Sequence, residues 1–241
     1  MRNIIPLLSV VVVALCNSCA KEKTTWIPAE NPLYTRWAAE VDPSAPWPEY
    51  PRPGLERNEW MNLNGLWKYA ITEKDVTPEE FDGKILVPYP VESALSGVKK
   101  RVTDSLALWY SRDFALPKTW KGRQIILNFE ASDWQTTVWI NGNLAGTHTG
   151  GYDPFSFNIT PWLSGKKTNT ILVKVWDPTD RGKQPRGKQV SKPGGIWYTP
   201  SSGIWQTVWI EPVEPRWICD VRIVPDIDKG TFTVTVMEGE C

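Results

Sequence analysis

This 241-residue chain has a single histidine, His148, only four cysteines, and no Cys-x-x-Cys spacing. Tetrahedral zinc needs several Cys or His ligands gathered at short spacing, so no metal ligands are expected. A charge surplus is also missing: Lys+Arg and Asp+Glu both total 27, for a formal charge of zero. Without a basic stripe there is no electrostatic footprint for nucleic acid, which is not an expected partner. Long apolar runs are absent except at residues 4–16, and that run is too short to span a bilayer as a folded helix.

The run follows Arg2 and leads into Leu15-Cys16-Asn17-Ser18-Cys19-Ala20-Lys21, after which the chain turns polar. This pattern reads as a signal peptide over residues 1–18, and its end resembles a loosened bacterial lipoprotein cleavage box. Cys19 is then the acylated first residue of an exported chain, lipid-anchored to a bacterial membrane in the periplasm or at the cell surface. The competing reading is ordinary cleavage beside an incidental cysteine. Once the leader is set aside, Cys219 and Cys241 are left, able to pair in an oxidising compartment; the sequence leaves open whether they do.

What the chain has in quantity is 15 Trp, 21 Pro and 17 Gly. Large flat side chains with frequent turns point to β-structure and leave little room for long helices. Residues 19–53 carry no sustained period and read as an extended linker. Beyond them period-two alternation recurs: Ile125, Leu127 and Phe129 share one face, as do Ile171, Val173 and Val175, and Trp134, Thr136, Val138 and Ile140. Asn141-Gly142 tolerates positive φ and predicts a tight hairpin turn. Thr77-Pro78-Glu79-Glu80 and Thr160-Pro161 predict single helical turns. His148, just past the hairpin, is expected as a surface turn residue.

Short strands and turns without long helices favour an all-β sandwich or jelly roll over residues 54–214. Roughly 160 residues suffice for one such core. Prolines 212 and 215 are expected to stop a strand ending at Ile210. Two further strands, residues 218–224 and 231–236, begin a second unit over residues 215–241. Two strands are not independently stable, so the chain is expected to belong to a longer protein.

The motifs come in a definite order. Arg52-Pro53 and Leu63-Asn64-Gly65-Leu66-Trp67 are followed by Val87-Pro88-Tyr89-Pro90-Val91-Glu92-Ser93 and Trp109-Tyr110-Ser111-Arg112-Asp113-Phe114. Next come Phe129-Glu130-Ala131-Ser132-Asp133-Trp134, Val138-Trp139-Ile140-Asn141-Gly142 and Gly146-Thr147-His148-Thr149-Gly150-Gly151-Tyr152-Asp153-Pro154-Phe155, and last Ser202-Gly203-Ile204-Trp205-Gln206. In this order they resemble the N-terminal region of glycoside hydrolase family 2, the β-galactosidases, β-glucuronidases and β-mannosidases.

The resemblance implies a galactose-binding-like jelly roll, then the start of an immunoglobulin-like sandwich, then a barrel with two catalytic glutamates. Retaining glycosidases of this kind need two carboxyl groups about 5 Å apart. This chain is expected to hold no catalytic residue. Its Asn58-Glu59 imitates the family's acid/base pair but precedes the first strand and reads as a chance dipeptide. No cofactor is implied.

The implied partners are a β-linked glycan or oligosaccharide and the catalytic barrel itself. In the family a loop of the first domain reaches toward the sugar, and residues 181–201 correspond to it. Trp197 and Tyr198 there are suited to stack on a sugar ring, and Gln184, Arg186 and Gln189 to bond its hydroxyls. Family β-galactosidases that present an Asp from this region have no counterpart beside Trp197. Two other readings stand beside the enzyme fragment: a free-standing carbohydrate-binding surface lipoprotein, and a docking sandwich using the loop as a subunit interface.

Overall fold

The computed structural model describes residues 26–31, 33–165 and 168–239. The leader, Cys19 and Cys241 lie outside the described residues. In chain order the strands are β1 (Met61–Asn62), β2 (Gly65–Glu73), β3 (Gly83–Val87), β4 (Leu106–Phe114), β5 (Gln124–Phe129), β6 (Ser132–Asp133) and β7 (Gln135–Ile140). They continue with β8 (Asn143–Thr149), β9 (Phe155–Asn158), β10 (Asn169–Trp176), β11 (Gly203–Ile204), β12 (Val208–Val213), β13 (Ile218–Asp226) and β14 (Thr231–Glu238).

A six-stranded sheet in the order β3-β2-β4-β10-β7-β8 faces a four-stranded sheet in the order β1-β12-β5-β9. Alternation decides which side chains lie between them. Ile171, Val173 and Val175 of β10 and Ile125, Leu127 and Phe129 of β5 join one buried cluster with Trp67, Leu108, Tyr110, Val138 and Ile210. The protein is thus the all-β sandwich that its period-two pattern implies.

The turn at Asn141 (φ 51°) and Gly142 (φ 83°) joins β7 to β8 as expected, and Thr160–Trp162 forms a single 3-10 turn. Three local expectations are corrected. No helical turn forms at Thr77-Pro78-Glu79-Glu80. Just upstream, Val76 N–H donates to the Glu73 carbonyl and its own carbonyl accepts from the Thr72 hydroxyl, which closes the end of β2 instead. One isolated turn gains too few hydrogen bonds to compete. His148 lies inside β8 with its ring stacked on Phe155 at 4.1 Å, rather than in a turn. β12 runs past Ile210 through Pro212 to Val213, paired with β5. β1 has ended by then, having paired only with Trp209 and Ile210, so no ladder remains on that side for a proline to interrupt.

The outer face of the four-stranded sheet is covered too. Ile126 and Asn128 point away from the core yet are 6% and 5% exposed. Residues 26–60 lie over parts of the sandwich: Asn64 donates to the Pro46 carbonyl and Asn62 to that of Trp47. Tyr50 packs edge-on against Trp209. Glu59 accepts from the Trp120 indole and pairs with Arg123, which gives Asn58-Glu59 a structural partner.

Glu211, 2% exposed on β12, gathers this face. It accepts from Arg52 at 2.7 Å, Arg57 at 2.9 Å, the Tyr50 hydroxyl at 2.9 Å and the Trp209 indole at 3.2 Å. Arg57 also donates to the Ile218 carbonyl, so the same carboxylate ties β13 to the sandwich. β13 and β14 form an antiparallel hairpin, and Cys219 on it is disulfide-bonded. Replacing Glu211 by Gln keeps the shape but removes the charge facing two arginines. The expected loss is about 2 kcal/mol in urea unfolding, since both arginines can still reach water. An unchanged midpoint would show that the cluster does not hold this face.

Candidate functional site

The stretch between β10 and β11, residues 177–202, has no regular element yet is closely tied to itself. Asp177 Oδ1 accepts from Thr179 N–H at 2.7 Å, which sets the opening bend, and Thr179 sits at φ 53°. Asp180 accepts from the Ser191 hydroxyl across the loop. Val190 N–H donates to Tyr198 O, and Tyr198 N–H to Lys188 O, in a short ladder. Gly194 and Trp197 exchange both backbone bonds around Gly195, whose φ of 59° suits glycine. From outside, Arg101 donates to the Ser191 carbonyl.

The five residues expected to meet a sugar divide by role. Trp197 and Tyr198 stand at the tip, 41% and 60% exposed, next to exposed Ile196. The Arg186 guanidinium lies 5.9 Å from the Trp197 ring, and Lys188 Nζ lies 5.9 Å from that of Tyr198. The three polar residues hold the loop. Gln184 donates to Thr179 O and Arg186 to Asp180 O. Gln189 donates to the Tyr152 hydroxyl and accepts from Ser201 N–H at 2.6 Å. The tip thus offers two aromatic faces flanked by cations, on a loop braced from within.

The root of the loop was not foreseen. Glu92 and Asp177 meet at Ser202, whose N–H donates to Glu92 Oε2 at 2.9 Å, and Asp133 lies near enough to be repelled by both carboxyls. Asp133, Asp177 and Ser202 are 6%, 4% and 2% exposed. Burial is the main reason that the Glu92 carboxyl is pushed up to about 7 and that of Asp133 to about 8. Repulsion from Asp177 and Glu92 adds to the Asp133 shift, and burial raises Asp177 as well.

Glycines let the backbones close around this node. A Cβ on Gly151 would stand 2.3 Å from Asp133 Oδ1, and one on Gly203 would stand 2.0 Å from the Tyr110 hydroxyl. That hydroxyl accepts from Ile204 N–H at 3.1 Å, and burial keeps it protonated. Among the described residues no group of three or more His, Cys, Asp or Glu is arranged to hold a metal ion. Asp133 and Asp177 are enclosed, and Glu92 and Asp177 bond the loop's two ends. Their geometry is that of an anchor.

Residues 84–208, a little over half of the chain, match the family described as "Glycosyl hydrolases family 2, sugar binding domain". The chain belongs to this family. The β-galactosidase of Thermoanaerobacter pseudethanolicus is 32% identical over 172 residues, 69% of this chain and 22% of that protein. A putative β-glucuronidase of Formosa agariphila is 33% identical over 191 residues, 73% of this chain and 17% of that protein. In structure, a Faecalibacterium prausnitzii β-glucuronidase superposes with a TM-score of 0.57 at 24% identity, over 76% of this chain and 36% of that one. The family 2 chain thus spans only a minor part of the relatives it matches.

Within this family 2 domain, the motif residues that carry the resemblance largely meet at the loop root. Glu92, Tyr110, Asp133 and Gly151 come from four of those motifs, and Ser202 and Gly203 open a fifth. The available signal was an acid set directly beside a large apolar residue, as in Val91-Glu92, Asp133-Trp134 and Trp176-Asp177. No local spacing relates positions 92, 133, 177 and 202, so only the fold brings them together.

Proposed function

We propose that this chain is the N-terminal, sugar-presenting part of a retaining β-glycosidase of the β-galactosidase or β-glucuronidase kind, active in the breakdown of β-linked glycans. The catalytic glutamates belong to a barrel outside this chain. The protein is exported and held at a bacterial membrane, in the periplasm or on the cell surface, by a lipid on Cys19. One observation carries the sugar-presenting role: the braced loop that displays Trp197 and Tyr198 from a root built of family motif residues. The names of the relatives on both sides of the galactoside and glucuronide divide support the reaction class.

The test is to translate the encoding frame beyond codon 241 and assay the product on aryl β-galactosides and β-glucuronides. The full product is expected to hydrolyse one of them, and the 241-residue chain alone neither. Trp197→Ala in the full product is expected to lower kcat/KM by roughly tenfold, the worth of one aromatic contact. A stop after codon 241, with glycan binding by the chain itself, would replace this reading with the free-standing carbohydrate-binding surface lipoprotein.

A further inference from the structure

Two pairs of sequence neighbours part where β6 and β10 end at the loop root. Asp133 and Asp177 turn into the buried node, while Trp134 and Trp176 beside them wall an open cleft of about 560 Å³. The cleft is completed by Asp104, Pro178 and residues 181–185, and neither Trp197 nor Tyr198 reaches it. Its volume lies within the range of small-ligand sites, roughly 300–1,000 Å³.

The Trp176 indole is firmly placed. Trp176 Nε1 donates to the Asp104 carbonyl at 2.7 Å, and Lys74 Nζ lies 3.3 Å from the Trp176 ring centroid. The charges on the rim are unbalanced. Arg181 pairs with Asp104 at 3.2 Å, but exposed Lys183 makes no ion pair among the described residues. Residues 181–201 hold five cations (Arg181, Lys183, Arg186, Lys188 and Lys192) and no acid, in a chain whose formal charge is zero. The acids behind the indoles do little to offset this, because burial biases Asp133 and Asp177 toward their neutral forms.

We infer that this cleft is a second carbohydrate subsite, apart from the loop tip, and that it takes a sugar unit bearing a carboxylate or a sulfate. The inference rests on the sugar-binding reading of the domain. The indoles supply ring contact, Asp104 accepts from hydroxyls, and Arg181 and Lys183 receive the anionic group.

Calorimetric titration of the chain with three oligosaccharides of equal length tests it: an oligogalacturonate, a sulfated galactose oligomer and a neutral β-galactose oligomer. The anionic probes are expected to bind roughly fivefold to tenfold tighter than the neutral one at low salt, an advantage that screening removes at high salt. The better of the two anionic probes identifies the carboxylate or the sulfate as the group received. Lys183→Glu should abolish the preference with an unchanged melting temperature, Lys183→Arg should keep it, and Trp197→Ala should leave it intact.

Equal binding of all probes overturns the inference, as does a preference insensitive to Lys183→Glu or no binding at all. Neutral binding that depends on Trp197 would leave the proposed function standing while this inference falls. Hydrolysis by the full product decides that function separately.

Discussion

Gly203→Ala is expected to cost about 4 kcal/mol and to move the urea midpoint of the sandwich far down. Two costs add. At φ 89° the backbone lies where a Cβ is strained, and the Cβ itself would meet the Tyr110 hydroxyl at 2.0 Å and Leu108 Cδ2 at 2.8 Å. Neither neighbour can give way easily, since Tyr110 and Leu108 are 0% and 1% exposed and the hydroxyl holds Ile204 N–H. Gly142→Ala isolates the first cost. It has φ 83° and nothing within 4 Å of its Cβ, so only about 1 kcal/mol should be lost. Adding Tyr110→Phe to Gly203→Ala removes the nearest atom and should restore part of the loss, leaving the Leu108 clash and the strain. Equal losses for the two glycine variants would mean that close packing at the loop root contributes nothing.

The elements legible in the sequence are those whose partners are local or periodic. Ile171, Val173 and Val175 announce a strand by alternation alone, and Asn141-Gly142 announces a turn by its tolerance of positive φ. Both signals are complete within a few residues. Ile126 and Asn128 were illegible for the opposite reason: they sit beside Glu211 and Trp209 of β12 on the outer face, and that face is closed by distant residues such as Arg52 and Tyr50 gathered at Glu211, which no alternation encodes. Gln184, Arg186 and Gln189 read in the sequence as donors to sugar hydroxyls. The structure adds that each spends hydrogen bonds on its own loop, so the side chains left displayed are Trp197 and Tyr198. Trp134 and Trp176 belong to strands in the sequence, and only the fold shows them sharing a cleft. The helical turn at Thr77-Pro78 failed because capping signals describe how a helix starts, not whether there is enough chain to continue it.

The stability of the domain is expected to fall as pH rises from about 5 to 8, and Asp133→Asn is expected to remove much of that fall. The sign follows from where the proton is held. In the unfolded chain Asp133 titrates near its ordinary value of 3.8, whereas in the fold its pKa is about 8; for Glu92 the two values are 4.5 and about 7. Below pH 4 both states keep their protons and the fold loses nothing on this account. Between those limits the unfolded chain has released protons that the folded node still holds, so each pH unit favours unfolding until the folded pKa is passed. At roughly 1.4 kcal/mol per unit for one group, the loss is on the order of several kcal/mol by pH 8. Asp42 and Asp180, whose carboxyls are held low by hydrogen bonds from Ser44 and Ser191, act with the opposite sign and only in more acidic solution. Above pH 5 His148, whose imidazole burial holds below its ordinary value, adds a smaller rise in stability toward neutral pH, which is common to parent and variant and cancels from their difference. Asn at position 133 is nearly isosteric with the protonated carboxyl, so the variant should match the parent below about pH 4, pull ahead of it as pH rises, and exceed it by about 2 kcal/mol or more at pH 8. Urea unfolding of both proteins across that range reads the difference. Parallel stability curves would mean that Asp133 is ionised in the fold and that the loop root is held by charge rather than by shared protons.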